Sequence, residues 1–319
     1  MNFHNKITVS LSMVTLLLTG CSVTQVAGPV EQASDPVTGM EFVSIPGGCF
    51  QRGDQFGEGA NDEKPTQEVC VEGFFMGKYE ITVSQWRSFI AATDYKTDAE
   101  GDVGGKKGCY SYHFDKWDYH YASSWRLPGF SQTDKDPVIC VSYNDVNRYI
   151  AWLNQVSGKQ YRLPTFTEQE YAARGGAETN RYWGNERDDK ACLYENFMAE
   201  GEGWRTFFPC EDGKIHTAPV GSYKPNPYGF HDIMGNVMEL LSDSHNGQHF
   251  AGGGCWYSNP DEVKDPSIVS LEVNDRSSII GFRLVFPNSA AMDPETKASH
   301  ERFLKSQMLV EAFGINKKK

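Results

Sequence analysis

The chain has 319 residues, of which 39% are hydrophobic and 13% aromatic, enough to build one substantial core, while 31 Gly and 15 Pro dictate many turns. Its formal net charge is −12 and no basic stripe is present, so nucleic acid is excluded as a partner and anionic lipid is a poor surface for it.

Residues 1–20 carry Lys6, an apolar run through Val14, Leu16, Leu17 and Leu18, and small residues before Cys21. This is the pattern of a signal peptide, too short for a spanning helix. Leu18-Thr19-Gly20-Cys21 resembles a bacterial lipobox, which makes Cys21 the lipidated first residue of the mature chain and its anchor to a membrane; simple secretion is the alternative. Ser22 in place of Asp points to the outer membrane. The expected location is therefore the periplasmic side of the bacterial envelope, with residues 21–39 as a polar tether.

In an oxidising compartment the cysteines after Cys21 should mostly pair. Counting does not fix the connectivity, but sequence neighbours suggest Cys49 with Cys70, Cys109 with Cys140, and Cys192 with Cys210. Cys255 is left over.

Thr82 and Gln85 form a capping box that opens a short helix with Trp86, Phe89 and Ile90 on one face. From Gly108 to Val141 the chain is aromatic and irregular. Such rings either fasten a loop to the core or stack on sugar or peptide. A second amphipathic helix spans Asp145 to Asn154, with Val146, Tyr149, Ile150 and Leu153 at helical spacing. Thr165 and Glu168 cap a third, which runs through Arg174 to Gly175-Gly176. Ala218 to Phe286 is so dense in Pro, Asn and Gly that regular structure is not expected for most of it. Within it, His245 and His249 are four apart, but Asn246-Gly247 between them predicts a surface turn, so zinc is not expected. In the tail, Asp293-Pro294 starts a helix whose apolar face holds Phe303, Leu304, Met308, Leu309 and Phe313. That face either packs back on the domain or docks to a partner.

Several long stretches, in one order, carry a resemblance. FVSIPGGCFQRGD, KYEITVSQW, RLPTFTEQEYAARGG, YWGN, PNPYGFHDIMGNVMEL, GGGCW and GFRLV are similar to the formylglycine-generating, or sulfatase-modifying-factor, domain family. The resemblance covers residues 40–288 and leaves 289–319 as an extension. It implies an α+β, loop-rich, C-type-lectin-like fold with short antiparallel sheets and few helices.

It also implies ligands. One calcium site matches Asp232, Gly235, Val237 and Glu239, and a second matches Asn196, Phe197, Asp212 and Lys214, several of them through backbone oxygens. The family's enzymes resemble a copper oxidase that uses two cysteines, five apart, to convert a substrate cysteine to formylglycine with O₂. Here Cys255 falls on the Ser of the family's GGS motif, Ser258 on the first copper cysteine and Val263 on the second. Both thiolates are missing, so copper is not expected, and Cys255 remains the one catalytic candidate, with an inert packed thiol as the blander reading. Gln169, Met238 and Leu240 also replace tryptophans usual in the family. The expected function is a non-catalytic accessory domain of a secretion or signalling system with an envelope protein partner. The alternatives are an oxidoreductase acting on a protein or siderophore substrate, and a glycan-binding lectin-like module.

Overall fold

The two ends of the domain meet in one sheet. In a computed structural model, which describes residues 31–55, 64–113, 116–198, 208–264 and 267–288, strand Glu41–Ile45 pairs antiparallel with Gln32–Ser34 on one side and Phe74–Gly77 on the other. Val285–Pro287 then closes the sheet against Phe74–Gly77. Every residue of Phe74–Gly77 is buried, as expected for a central strand covered on both faces. Gln32–Ser34, assigned from sequence to the tether, is thus part of the fold. Cys21 with the signal peptide, and the tail from Asp293 with its apolar residues, lie outside the described residues.

A second four-stranded sheet orders Ile268–Leu271, Gln248–Gly252, Met238–His245 and Ile280–Gly281, the last pair parallel. Most of Ala218–Phe286 is irregular, as expected, and these strands are the regular part within it. Met238–Leu241 are four consecutive buried residues, and burial on both faces stabilises a strand despite the surrounding Gly and Asn. Asn246 (φ 51°) and Gly247 (φ 81°) make the two-residue turn between the strands, because both positions need positive φ. His249 pairs in register with Ser244, and its ring stacks on Tyr143 at 3.7 Å.

Three helices pack against these sheets, each opened by a reciprocal capping box: α1 (Val83–Thr93) by Thr82 and Gln85, α2 (Tyr143–Ser157) by Ser142 and Asp145, and α3 (Phe166–Arg174) by Thr165 and Glu168. The second helix starts before Asp145, since Asp145 is the third residue of its box, and it ends at Gly158 in the left-handed region. Trp86 of α1, Tyr149 of α2 and Phe282 form one ring cluster with centroids 5.4–6.1 Å apart. A second core, under α3, gathers Phe74, Phe197, Phe208, Phe230 and Met234.

Disulfides Cys49–Cys70, Cys109–Cys140 and Cys192–Cys210 staple the loop regions. Part of the aromatic stretch is a hairpin, Cys109–His113 with Lys116–His120, and the bond to Cys140 ties its first residue to the buried run Val138–Val141. Among the described residues no helix is long and apolar enough to cross a membrane.

Candidate functional site

At the centre of the molecule four acids surround one arginine. Glu80 follows the sheet strand Phe74–Gly77, Glu195 and Asp232 stand on loops, and Glu239 opens the strand Met238–His245; all four are buried, as is Arg283. Arg283 Nε donates to Glu239 Oε1 at 2.7 Å and Oε2 at 2.8 Å, and its Nη2 lies 2.6 Å from Oε1. Its Nη1 donates to the Gly77 carbonyl at 3.0 Å and Nη2 to the His231 carbonyl at 3.0 Å. One guanidinium therefore clamps both sheets and the 231–237 loop, using the fork of donors that only Arg offers.

The loop itself is shaped by backbone sterics. Asp232 (φ 56°) and Asn236 (φ 61°) sit in the left-handed region, and a Cβ on Gly235 would lie 2.6 Å from the Asn196 carbonyl oxygen. The Asn236 amide N–H donates to that same oxygen at 2.8 Å. Its side chain donates to Glu80 Oε1 at 3.0 Å and accepts from Asn196 Nδ2 at 3.0 Å and the Ala218 N–H at 2.9 Å. Glu195 Oε1 accepts from the Tyr182 hydroxyl at 3.0 Å and the Met234 N–H at 3.1 Å.

Several oxygens in this node have no donor among the described residues: Glu80 Oε2, Glu195 Oε2, Asp232 Oδ1 and Asn196 Oδ1. A buried acceptor without a donor is costly, so each of these implies a proton, a water or a cation. Burial first, then the neighbouring Asp232 charge, holds the carboxyls of Glu80 and Glu195 well above the usual range, with Arg283 acting in the opposite sense. Burial pushes Asp232 up to about 7, against the Gly221 N–H and Arg283.

These contacts sort the two expected calcium sets. Asp232 and Asn196 keep one unpartnered oxygen each, Gly235 and Val237 lie on the same tight loop, and all of these are hard oxygen donors suited to calcium. Glu239 does not fit with them as expected, because both its oxygens are taken by Arg283, and Gln169 Nε2 adds a bond at 3.0 Å. Gln169, standing where the family usually has Trp, thereby completes the shell of Glu239. In the second set Asp212 Oδ1 accepts from the Lys214 N–H at 2.8 Å, Tyr223 donates to Oδ2 at 3.3 Å, and the Phe197 backbone N–H also reaches the carboxylate. Asp212 thus joins the Phe197 and Lys214 backbones, and Asn196 Nδ2 reaches the same segment through the His216 carbonyl at 2.9 Å. Among the described residues no group of three or more His, Cys, Asp or Glu is arranged to hold a metal, so a cation here depends on amide and backbone oxygens.

The second region lies around Cys255, the one free cysteine among the described residues. Its thiol is 3.4 Å from Ser258 Oγ, and its N–H donates to that hydroxyl at 3.1 Å. Val263 packs beside the preceding Gly254, where a Cβ would meet Val263 Cγ2 at 3.1 Å. The fold brings Cys255, Ser258 and Val263 together, all buried, and presents a single sulfur. A two-coordinate Cu(I) site needs two soft thiolates, so these residues do not fit copper. Burial further pushes the Cys255 thiol up to about 11, keeping it protonated and weakly nucleophilic near neutral pH.

From Trp256 outward the site becomes a platform of rings. Trp256 stacks with Trp117 at 6.3 Å and meets His216 at 4.9 Å; Tyr257 lies 5.0 Å from Trp117 and 5.5 Å from Tyr112. Tyr110 stacks on Trp117 at 5.5 Å and, with Tyr119, lines a cleft of about 250 Å³ closed by Leu271 and Ile280. Asp275 in that cleft already accepts from Lys106 at 2.6 Å, Tyr119 at 3.0 Å and the Glu272 N–H at 2.8 Å. The cleft offers ring faces more than hydrogen-bonding groups.

Sequence reasoning missed Glu80, Glu195 and Arg283 as members of one node. The signal was present, since all three lie inside stretches that carry the resemblance or border its calcium positions, but their meeting is a tertiary event. Residues 28–287 match the family described as the sulfatase-modifying factor enzyme 1-like domain. The chain belongs to this family. A formylglycine-generating enzyme of Streptomyces coelicolor is 35% identical over 247 residues, 69% of this chain and 74% of that one. An inactive C-alpha-formylglycine-generating enzyme 2 of Bos taurus is 30% identical over 227 residues, 65% and 71% of the two chains. Among solved structures, PvdO from Pseudomonas aeruginosa superposes with a TM-score of 0.66 at 26% identity, covering 82% of this chain and 99% of that one. Sulfatase-modifying-factor relatives of this chain thus include both enzymes and a member named as inactive.

Proposed function

We propose that this protein is an exported, lipid-anchored member of the sulfatase-modifying-factor family that lacks formylglycine-forming chemistry and serves as a binding or accessory domain of the cell envelope. The observation that carries the reading is the lone, buried, protonated Cys255 beside Ser258 and Val263, a site with one sulfur where the copper enzymes need two. Three disulfides agree with folding in an oxidising compartment. The Asp232 and Asn196 oxygens without donors support a structural calcium ion, and the ring platform ending at Tyr257 supplies the surface a protein partner would meet.

The test is a Cu(I) titration against a competing chelator on the soluble protein starting at Ser22, with thiols counted on the same sample after denaturation. One thiol and no copper uptake are expected, together with no O₂ consumption on cysteine-containing peptides. One tightly held equivalent of copper that disappears in Cys255→Ala, or conversion of a peptide cysteine to an aldehyde, overturns the proposal.

A further inference from the structure

The hairpin Gly48–Arg52 with Gln67–Val71 is a two-stranded sheet of its own, fastened to α3 by one face. Side chains alternate between the faces of a strand, so Phe50, Val69 and Val71 share the face on which Gly48 meets α3. A Cβ on Gly48 would lie 2.5 Å from the Tyr171 hydroxyl, and the Phe50 ring packs 5.2 Å from that of Tyr171. Polar bonds add to the hold. Arg52 Nη1 donates to Thr167 Oγ1 at 3.2 Å, the Gly53 N–H donates to Glu170 Oε1 at 2.9 Å, and Arg174 Nη2 donates to the Gly53 carbonyl at 2.9 Å.

Cys49 and Cys70 are partners in register on the opposite face, and both are exposed. Their bond joins two strands that are already paired and already docked, and none of the docking contacts passes through it. The other two bridges are placed differently. Cys109 and Cys140 are fully buried, and Cys192 and Cys210 pack half-buried against the second core. The charge around the exposed bridge is also uneven. Glu68 and Glu72, two residues to either side of Cys70, are both exposed, whereas Gly47 and Gln51 at the same spacing from Cys49 carry no charge.

We propose that the Cys49–Cys70 disulfide is a thiol-exchange site, open to a partner dithiol that carries positive charge beside its sulfurs. Exposed disulfides are the exchangeable ones, while buried structural bridges resist reduction. A thiolate of the partner attacks Cys70 Sγ, forming a mixed disulfide and releasing Cys49 as a thiolate, which takes up a proton. Cys49 is the better leaving group, because a thiolate at Cys70 would lie between two carboxylates. The partner's second thiolate then attacks the partner sulfur of the mixed bond, and Cys70 leaves and is protonated in turn. The partner's two thiols end as a disulfide, oxidised by two electrons with loss of two protons, and Cys49 and Cys70 end as thiols that have gained both. Glu68 and Glu72 repel an anionic attacker and attract cationic flanks, so they select among dithiols. The site uses neither Cys255 nor the ring platform, and it stands or falls apart from the accessory-domain reading.

The test incubates the soluble protein starting at Ser22 with a short dithiol peptide whose two cysteines are flanked by lysines, then quenches with acid, alkylates and maps the labelled cysteines by mass spectrometry. Cys49 and Cys70 are expected to be labelled together, at least about tenfold faster than Cys109, Cys140, Cys192 and Cys210, with near-ultraviolet circular dichroism retained. At matched thiolate concentration and low salt, a peptide with glutamates in place of the lysines should react at least about threefold more slowly. The double variant Glu68→Gln with Glu72→Gln, two exposed changes outside the docking face, should narrow that difference. One common rate for all three bridges, or labelling of Cys49 and Cys70 only as the circular dichroism signal is lost, overturns the proposal. So do equal rates for the two peptides, or a preference that the double variant leaves unchanged.

Discussion

Arg283 is the residue on which the two sheets depend, and its removal separates a charge effect from a packing effect. Arg283→Met leaves Glu239 buried without its partner, and breaking a buried pair in this way costs roughly 3–5 kcal/mol. Urea unfolding should show the midpoint fall accordingly, while adding Glu239→Leu to the same protein should recover much of the loss, because an apolar pair needs no counter-charge. Failure of the double variant to recover would mean that Glu239 is held by something other than Arg283.

Asp232 sets a pH dependence with a definite sign. Burial raises its folded pKa to about 7, above its ordinary value, so the native state binds the proton more tightly than the unfolded chain. The contribution is fully present below the unfolded pKa and is lost as pH rises through about 7. In the presence of a calcium chelator, melting temperature should therefore decline from pH 6 to pH 8, and Asp232→Asn should flatten that decline. Millimolar calcium should raise the melting temperature at pH 8 and flatten it as well, since a cation replaces the proton. A pH slope untouched by either change would remove both the proton and the cation from this account.

At the scale of elements, the three capping boxes fix where the helices start. Thr165→Ala deletes the hydroxyl that accepts from the Glu168 N–H at 3.1 Å and should cost about 1 kcal/mol, a melting shift of about 2–4 °C in a domain of this size. The same change at Ser142 should cost more, because its hydroxyl also donates to Asp98 Oδ2 at 2.7 Å. These boxes were legible: Thr82 with Gln85 and Thr165 with Glu168 are local patterns. Ser142 with Asp145 was overlooked because Asp145 reads equally well as the first residue of a helix. Strands were less legible. Met238–His245 lies in a run rich in Gly and Asn, and it becomes a strand through burial between two layers, which no local propensity records.

For the whole molecule, the closing strand Val285–Pro287 holds the chain's far end against Phe74–Gly77 in the first sheet. A chain stopped after Asn288 should stay folded, with near-ultraviolet circular dichroism close to that of the full chain. One stopped after Leu284 should not, because it strips the Phe74–Gly77 strand of its outer partner and leaves its backbone groups unpaired. Reduction of the disulfides should destabilise without unfolding the cores; for Cys192–Cys210, with 18 residues of separation, the loop-closure effect is about 3 kcal/mol.

The sequence by itself determined the family, two of the three helix starts and the pairing expected among neighbouring cysteines. Each of these is written in contiguous or closely spaced residues, where turn chemistry, capping and residue type act locally. Only the tertiary structure decided that Glu239 belongs to Arg283, 44 residues away, and that Glu80, Glu195 and Asp232 share its buried neighbourhood. Electrostatics inside a protein depends on distance and burial, and both are set by how the two sheets pack.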